Sequence, residues 1–383
     1  MIGGKGDIQM KKHIHLKIAV LRKKRNITQQ ELGDAIGVSY QTISKWENGV
    51  TMPDIGMLPE LSEYFQVTVD ELLGLKPLEG EEYLSAKTDT KEFWVKRLDY
   101  LMRTRKNLWN KDYMKFLIEE VWKINSPVKV LDCGCGYGAL GLLMMPLLPK
   151  GSTYTGIDFT EELIKEGKDL FLRTGVQGKF ITSDFLQYPL SYKYDIVICQ
   201  NVLRHVSQSK HFLTNMIGHG SKNALIISID VNREFECDGL YVEGMEYSYL
   251  CEHSGMENFW KKELESEGRD YAAAIRTAHH MRKLGLKQIE IRMNDRVSFI
   301  YPEMEAYEEQ VEDFLMANLL TSNDNEERLE RSVEYMENHG MSRKEAESFL
   351  HKNQVLSDYF TQNHGKVSYT HALGEIITFG RKV

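Results

Sequence analysis

The chain has 383 residues, 48 Lys and Arg against 56 Asp and Glu, and a formal charge of −8. This gives room for two domains but is too acidic for a protein coated with nucleic acid along its whole length. A composition of 42% hydrophobic, 10% aromatic and 27% charged residues excludes a mainly disordered or fibrous chain. No apolar run reaches the roughly 18 residues that span a bilayer, and no cleavable leader pattern follows Lys11, Lys12, His13 and His15, so a cytoplasmic protein without membrane contact is expected.

Residues 11–76 hold nine Lys and Arg against eight Asp and Glu, so the negative excess lies in the remainder. The spacing of Leu16, Ile18, Val20 and Leu21, of Leu32, Ala35 and Ile36, of Ile43 and Trp46, and of Leu58, Leu61 and Phe65 predicts four or five short helices. Thr28 with Glu31 forms a capping-box pattern, Gly37 ends that helix, Ser39 caps the next, and Asn48-Gly49 ends it.

The stretch Thr28–Ser39 followed by Ile43–Gly49 resembles the Cro/repressor-type (XRE-like) helix-turn-helix domains, over residues 11–75. The resemblance implies a second helix that enters the major groove of DNA. Tyr40, Gln41, Ser44 and Lys45 would then face base edges, while Gln29 and Asn48 would hold phosphates. The nearly neutral charge predicts weak, salt-sensitive binding by one copy, for which a homodimer on a two-fold site is the remedy. The alternative is a small helical unit for protein docking or dimerisation.

Pro77, Gly80 and the carboxylates around them mark a linker over 76–91, and 92–383 forms the larger domain. Phe93, Trp94, Leu98, Leu101 and Met102 predict one helix, and Tyr113, Phe116, Leu117, Val121 and Trp122 another, from which Trp109 or Tyr113 could reach a ligand. From Val128 strands alternate with helices. Strands are predicted at 128–132, 154–158, 179–182, 194–199 and 224–230, and helices at 139–145 and 161–172. This alternation implies an α/β fold with a mostly parallel, doubly wound sheet and a ligand beyond the carboxyl ends of its strands. Asp132, Asp158 and Asp184 recur at equal intervals, one strand-helix unit apart, so all three should emerge on one edge.

The five cysteines, with Cys133 and Cys135 in a glycine-rich turn, suggest neither a disulfide framework nor a metal site. A glycine-rich turn alone fits several nucleotides. Val130-Leu131-Asp132-x-Gly134-x-Gly136-x-Gly138, with the acid after strand two and Ser-Asp after strand three, resembles the class I S-adenosylmethionine-dependent methyltransferases, a Rossmann-like fold.

That resemblance implies S-adenosylmethionine as cofactor. Gly134, Gly136 and Gly138 would let the backbone approach it, and Asp158 would accept both ribose hydroxyls. Asp184 would take the adenine amino group, with Ser183 before it also cofactor-binding, Phe159 and Phe185 would border the ring, Gln200 would lie beside the methionine part, and Asp132 would reach its ammonium. Singly, Asp132 could instead cap the turn, Phe159 could be core, and Gln200 could bond backbone.

His205 is the candidate catalytic base, or else a helix-start residue bonded to backbone. Asp230, Asn232, Arg233, Glu236, Tyr241 and Glu243 could shape an acceptor pocket or form a solvated loop. A helix at 272–284 and a strand at 286–292 follow, and 375–380 resembles the antiparallel last strand of the family. Residues 302–365 depart from the minimal pattern as a helical insertion, either a cover over the substrate opening or a dimer contact.

Gln200-Asn201-Val202-Leu203 is not the Asn/Asp-Pro-Pro-aromatic tetrapeptide of amino-methylating DNA enzymes, and no Pro-Cys dipeptide occurs, so a small-molecule acceptor is favoured. The expected function is a small-molecule methyltransferase fused to a sequence-specific DNA-binding module. A transcriptional regulator that uses its methyltransferase-like domain as a metabolite sensor, and a nucleic-acid methyltransferase, stand as alternatives.

Overall fold

The computed structural model describes residues 16–25, 27–73, 98–105, 108–233, 239–318, 320 and 326–383. The linker expected at 76–91, the helical residues Phe93 and Trp94, and Glu236 lie outside the described residues. The chain divides into two compact units, Met1–Glu81 and Glu82–Val383.

The first unit contains α1 (Ile18–Lys24), α2 (Gln29–Ile36), α3 (Tyr40–Glu47), α4 (Met57–Phe65) and α5 (Val69–Leu72). Thr28 and Glu31 form the reciprocal capping box, worth about 1 kcal/mol, and Gly37 ends α2 in the left-handed region. Ser39 accepts from the Thr42 amide to start α3. Ile18, Leu32, Ile43, Leu61 and Leu72 are fully buried together, one from each helix. Each contributes about 1.5–3 kcal/mol of transfer free energy. Gly33 permits the tight turn between α2 and α3, because a Cβ there would meet the Val38 carbonyl oxygen at 2.6 Å.

The second unit opens on α6 (Leu98–Arg105) and α7 (Lys111–Phe116), which runs on through a wide turn to Val121. Strands β1 (Lys129–Cys133), β2 (Thr153–Asp158), β3 (Lys179–Thr182), β4 (Tyr194–Gln200) and β5 (Gly220–Val231) then alternate with α8 (Ala139–Met144), α9 (Glu161–Thr174) and α10 (Ser209–His219). After β6 (Leu240–Val242) come α11 (Tyr247–Leu250), α12 (Met256–Glu267), α13 (Ala273–Lys283), β7 (Lys287–Met293) and β8 (Val297–Ile300). Helices α14 (Tyr307–Ala317), α15 (Glu326–Asn338) and α16 (Arg343–Gln362) lead to β9 (Tyr369–Ala372) and β10 (Glu375–Arg381).

Seven strands form one sheet in the order β3-β2-β1-β4-β5-β10-β7. The first five are parallel, and β10 runs antiparallel to both β5 and β7. Chain order reverses between β1 and β4, and the crevice beyond that switch point is where such sheets hold ligands. Because β10 is reversed, its first residue, Glu375, pairs with Val231 at the same edge where β4 and β5 end. Two apolar layers sandwich the sheet, one around Trp122, Tyr154, Phe171 and Phe180 and the other around Phe185, Phe212, Met216 and Met281.

Helices α14, α15 and α16 lie within the expected helical insertion. The insertion has a base that hydrophobic periodicity did not reveal, a separate three-stranded antiparallel sheet in the order β6-β9-β8. Val242, Ile300, Phe314, Phe360 and Tyr369 join that sheet to α14 and α16 in a core of their own. Its strands are three or four residues long and come from distant parts of the chain, too short to display an alternating pattern.

Candidate functional site

A cleft opens beyond the switch point. The turn after β1 supplies its floor through Gly134, Gly136 and Tyr137, β2 supplies Asp158 and Phe159, and β4 supplies Gln200 and Asn201. Asp132, His205, Leu101 and Arg105 complete much of the wall.

Two glycines of the turn do different things. Gly136 has φ +56°, and a Cβ there would touch only Leu163 at 4.0 Å, so its freedom keeps space open inside the cleft. Gly138 has φ +80°, but a Cβ there would strike Phe180 at 2.8 Å and Phe171 at 2.9 Å. Its role is the packing of turn against sheet, and it does not line the cleft.

Asp158 ties the turn to β2. One carboxylate oxygen accepts from the Gly136 amide at 2.9 Å, and the other from the Thr160 amide at 2.8 Å. Each oxygen retains a lone pair for a ligand. Asp132 accepts from the buried Tyr154 hydroxyl at 2.7 Å. Burial pushes the Asp132 carboxyl up to about 7, the Tyr154 bond pulls it down, and the Asp158 charge pushes it up further. Burial also raises Asp158, against the amides of Thr160 and Gly136. Cys133 and Cys199 are buried, and burial pushes both thiols well up, which removes them as nucleophiles.

Of the expected cofactor contacts, Asp132, Gly134, Gly136, Asp158, Phe159 and Gln200 line the cleft, and Gly138, Ser183, Asp184 and Phe185 do not. Asp184 caps the short helical turn that follows it, accepting from the Leu186 amide at 2.9 Å. Ser183 donates to the Asp184 carbonyl at 3.0 Å. Phe185 is buried against Phe212 and His219, at ring separations of 4.8 and 5.3 Å.

His205 lines the cleft and is buried. Its Nε2 accepts from the Arg204 Nε–H at 2.9 Å, so the lone pair that a base needs is committed to a cation. Asp230 sits at the same edge, where burial pushes it up to about 7 and the Arg204 charge opposes that rise.

Sequence reasoning did not single out Glu375. It is buried, and its carboxylate accepts from Gln200 Nε2 at 2.8 Å, Asn201 Nδ2 at 3.1 Å and Asn294 Nδ2 at 2.8 Å. Asn294 also donates to the Leu108 carbonyl at 2.9 Å. One carboxylate thus braces β4, the end of β7 and the segment after α6. The available signal was a charged residue opening an otherwise apolar strand, Glu375-Ile376-Ile377.

In the first unit, Tyr40, Gln41 and Lys45 are exposed on α3. The other expected DNA contacts are engaged internally. Gln29 donates to Glu47 at 2.8 Å, and Asn48 donates to the Ser44 carbonyl at 2.8 Å. Arg22 grips the same Glu47 at 2.6 and 3.0 Å. Burial pushes the Glu47 carboxyl up, and the bonds from Arg22 and Gln29 with the Arg22 charge more than reverse this.

Comparison with known proteins agrees with both halves. Residues 18–72 match the helix-turn-helix family and residues 124–271 the methyltransferase domain family. The chain joins a helix-turn-helix domain to a methyltransferase domain. The methyltransferase domain is 28% identical over 153 residues to the ubiquinone biosynthesis O-methyltransferase of Rickettsia felis, covering 36% of this chain and 62% of that protein. The helix-turn-helix end is 37% identical over 86 residues to the HTH-type transcriptional activator BcrR of Enterococcus faecalis, covering 22% of this chain and 40% of that one. The chain therefore spans less than two thirds of the length of these relatives. Among solved structures, phosphoethanolamine N-methyltransferase 2 of Haemonchus contortus is similar, with a TM-score of 0.41, 10% identity, and coverage of 77% of this chain and 58% of that one. Among the described residues no helix is long and apolar enough to cross a membrane.

Proposed function

We propose that the chain is an S-adenosylmethionine-dependent methyltransferase acting on a small molecule, and that its helix-turn-helix domain binds DNA. The observation that carries the reading is the cleft at the switch point, where the open Gly136 backbone faces the buried carboxylates Asp132 and Asp158. These residues fit the cofactor. Asp158 offers two oxygens to a pair of hydroxyls, and Asp132 offers negative charge to an ammonium. When bound, the cofactor supplies the methyl group. The protein's part is to hold and orient the two reactants, since displacement at a sulfonium depends chiefly on alignment. The names of the curated relatives, which belong to ubiquinone biosynthesis, support a small organic acceptor.

A cytoplasmic homodimer that reads a two-fold DNA site completes the proposal, with a domain boundary within 76–91. Tyr40, Gln41 and Lys45, exposed along α3, are the side chains available to bases. Calorimetric titration with S-adenosylmethionine and S-adenosylhomocysteine tests the cofactor site. Saturable binding that is lost in Asp158→Ala is expected, and no binding by the unaltered protein would overturn the reading.

A metabolite-sensing regulator is the second reading, and the Arg204–His205 bond favours it by occupying the candidate base. Cofactor turnover in the presence of an acceptor separates the two.

A further inference from the structure

A second cavity adjoins the cleft, and Arg105 and Asn201 line both. Its walls are the carboxyl edge of the large sheet at Val231, α6 and the base of the insertion, with Ile300 from β8, Tyr369 from β9 and Phe314 from α14. The small sheet and α14 thus roof a chamber that opens only a few residues from Gln200 and His205.

Three guanidinium groups face this chamber: Arg103, Arg105 and Arg204. Arg103 is spent on Asp313 at 2.5 Å and Glu312 at 3.0 Å. Arg204 donates to His205 and faces the buried Asp230. Arg105 is different. It is half-buried at the junction, yet among the described residues its side chain makes no hydrogen bond or ion pair. Its charge favours the ionised form of Glu375, but both oxygens of that carboxylate are occupied by the three amides. A guanidinium offers up to five N–H donors in a planar fork suited to carboxylate or phosphate, and withdrawing it from water without an acceptor is costly.

We propose that this second cavity holds the methyl acceptor, and that the acceptor has an apolar, ring-sized body and an anionic group received by Arg105. The inference rests on the methyltransferase reading for the word acceptor. The anion site itself stands on the chamber and its uncommitted cation. Tyr100, Phe314 and Tyr369 supply flat apolar walls for the body, and Arg105 fixes the charged end at the boundary with the cofactor cleft.

The test is titration of the full chain, with and without saturating S-adenosylhomocysteine, using benzoate and phenyl phosphate as probes and benzamide as the neutral match. Benzoate or phenyl phosphate should bind at least tenfold more tightly than benzamide. Arg105→Gln should remove that preference, and Arg105→Lys should restore part of it, which separates charge from packing. Benzamide binding as tightly as both anions, or no binding of any probe, would overturn the proposal. So would anion binding that survives in Arg105→Gln while S-adenosylhomocysteine affinity falls tenfold, which would assign the guanidinium to the cofactor's own carboxylate. Failure of the unaltered protein to bind S-adenosylhomocysteine is a separate result and counts against the methyltransferase reading.

Discussion

Glu375, the first residue of the last strand, accepts from Gln200 Nε2 at 2.8 Å and fixes a side chain that lines the cleft at the switch point. The same oxygen holds Asn201, whose φ of +56° lies in the left-handed region. Glu375→Gln would turn one acceptor into a donor facing amide donors, at a cost of about 1–3 kcal/mol in a buried site. Reduced thermal stability and weaker S-adenosylhomocysteine binding are expected together. An affinity unchanged in a folded variant would show that the brace serves the fold alone.

The contrast within the glycine turn gives a second prediction. Gly138→Ala meets two phenyl rings and should lose about 1–3 kcal/mol of stability through overpacking, besides the left-handed strain. Gly136→Ala meets open space, so its cost to stability should be the strain alone, about 1–2 kcal/mol, while cofactor affinity falls because the methyl group enters the cleft. Chemical denaturation and calorimetry on both variants check this. Equal losses of binding at equal stability would refute it.

Burial raises Asp132 to about 7, so the folded apoprotein holds a proton there that the unfolded chain releases near pH 4. The folded state then binds more protons than the unfolded one across that interval, and its stability should fall as pH rises from about 4 to 7. A cationic ligand favours the ionised carboxylate. Binding near pH 7 should therefore release on the order of half a proton, and affinity should rise through that range and level off above it. Calorimetry in buffers of different ionisation enthalpy measures the proton, and Asp132→Asn should abolish that part of the dependence. Proton uptake on binding would contradict the assignment.

The Arg204 contact sets an expectation for His205. A true general base contributes about 10²–10⁴ in rate, whereas a histidine whose Nε2 is held by a guanidinium contributes through shape. Once an acceptor is identified, His205→Asn should retain activity within about tenfold and keep its cofactor affinity. A loss of a hundredfold or more in kcat, with the acidic limb of the pH profile removed, would restore the base.

The legible parts of the molecule were those written in local sequence. The capping box at Thr28 and Glu31, the turn at Gly37, and the alternation from Lys129 to Val231 each depend on residues close together, and each has the expected form. The edge shared by Asp132 and Asp158 was legible too, because parallel strands fix where residues one repeat apart emerge. Glu375 and Arg105 were not. Their meaning comes from partners up to 175 positions away, or from the lack of one among the described residues, and no periodicity encodes either. Phe185 was placed by its position next to a motif, whereas its packing against Phe212 is set by a residue distant in sequence that no local pattern encodes.

The helix-turn-helix domain separates binding from stability within three residues. Lys45 is exposed on α3, whereas Glu47 is buried between Arg22 and Gln29 and locks α3 to α1 and α2. Lys45→Ala should leave the melting temperature unchanged, weaken binding to the target duplex by about 1–3 kcal/mol and relax its sequence preference. Glu47→Ala strands a half-buried guanidinium and an amide, so it should destabilise the domain by about 1–3 kcal/mol. Fluorescence anisotropy on the target duplex and on altered duplexes, together with thermal melts, distinguishes the two. If Lys45→Ala leaves affinity and sequence preference as they were, the exposed face of α3 does not read bases, and the domain's role shifts to docking another protein.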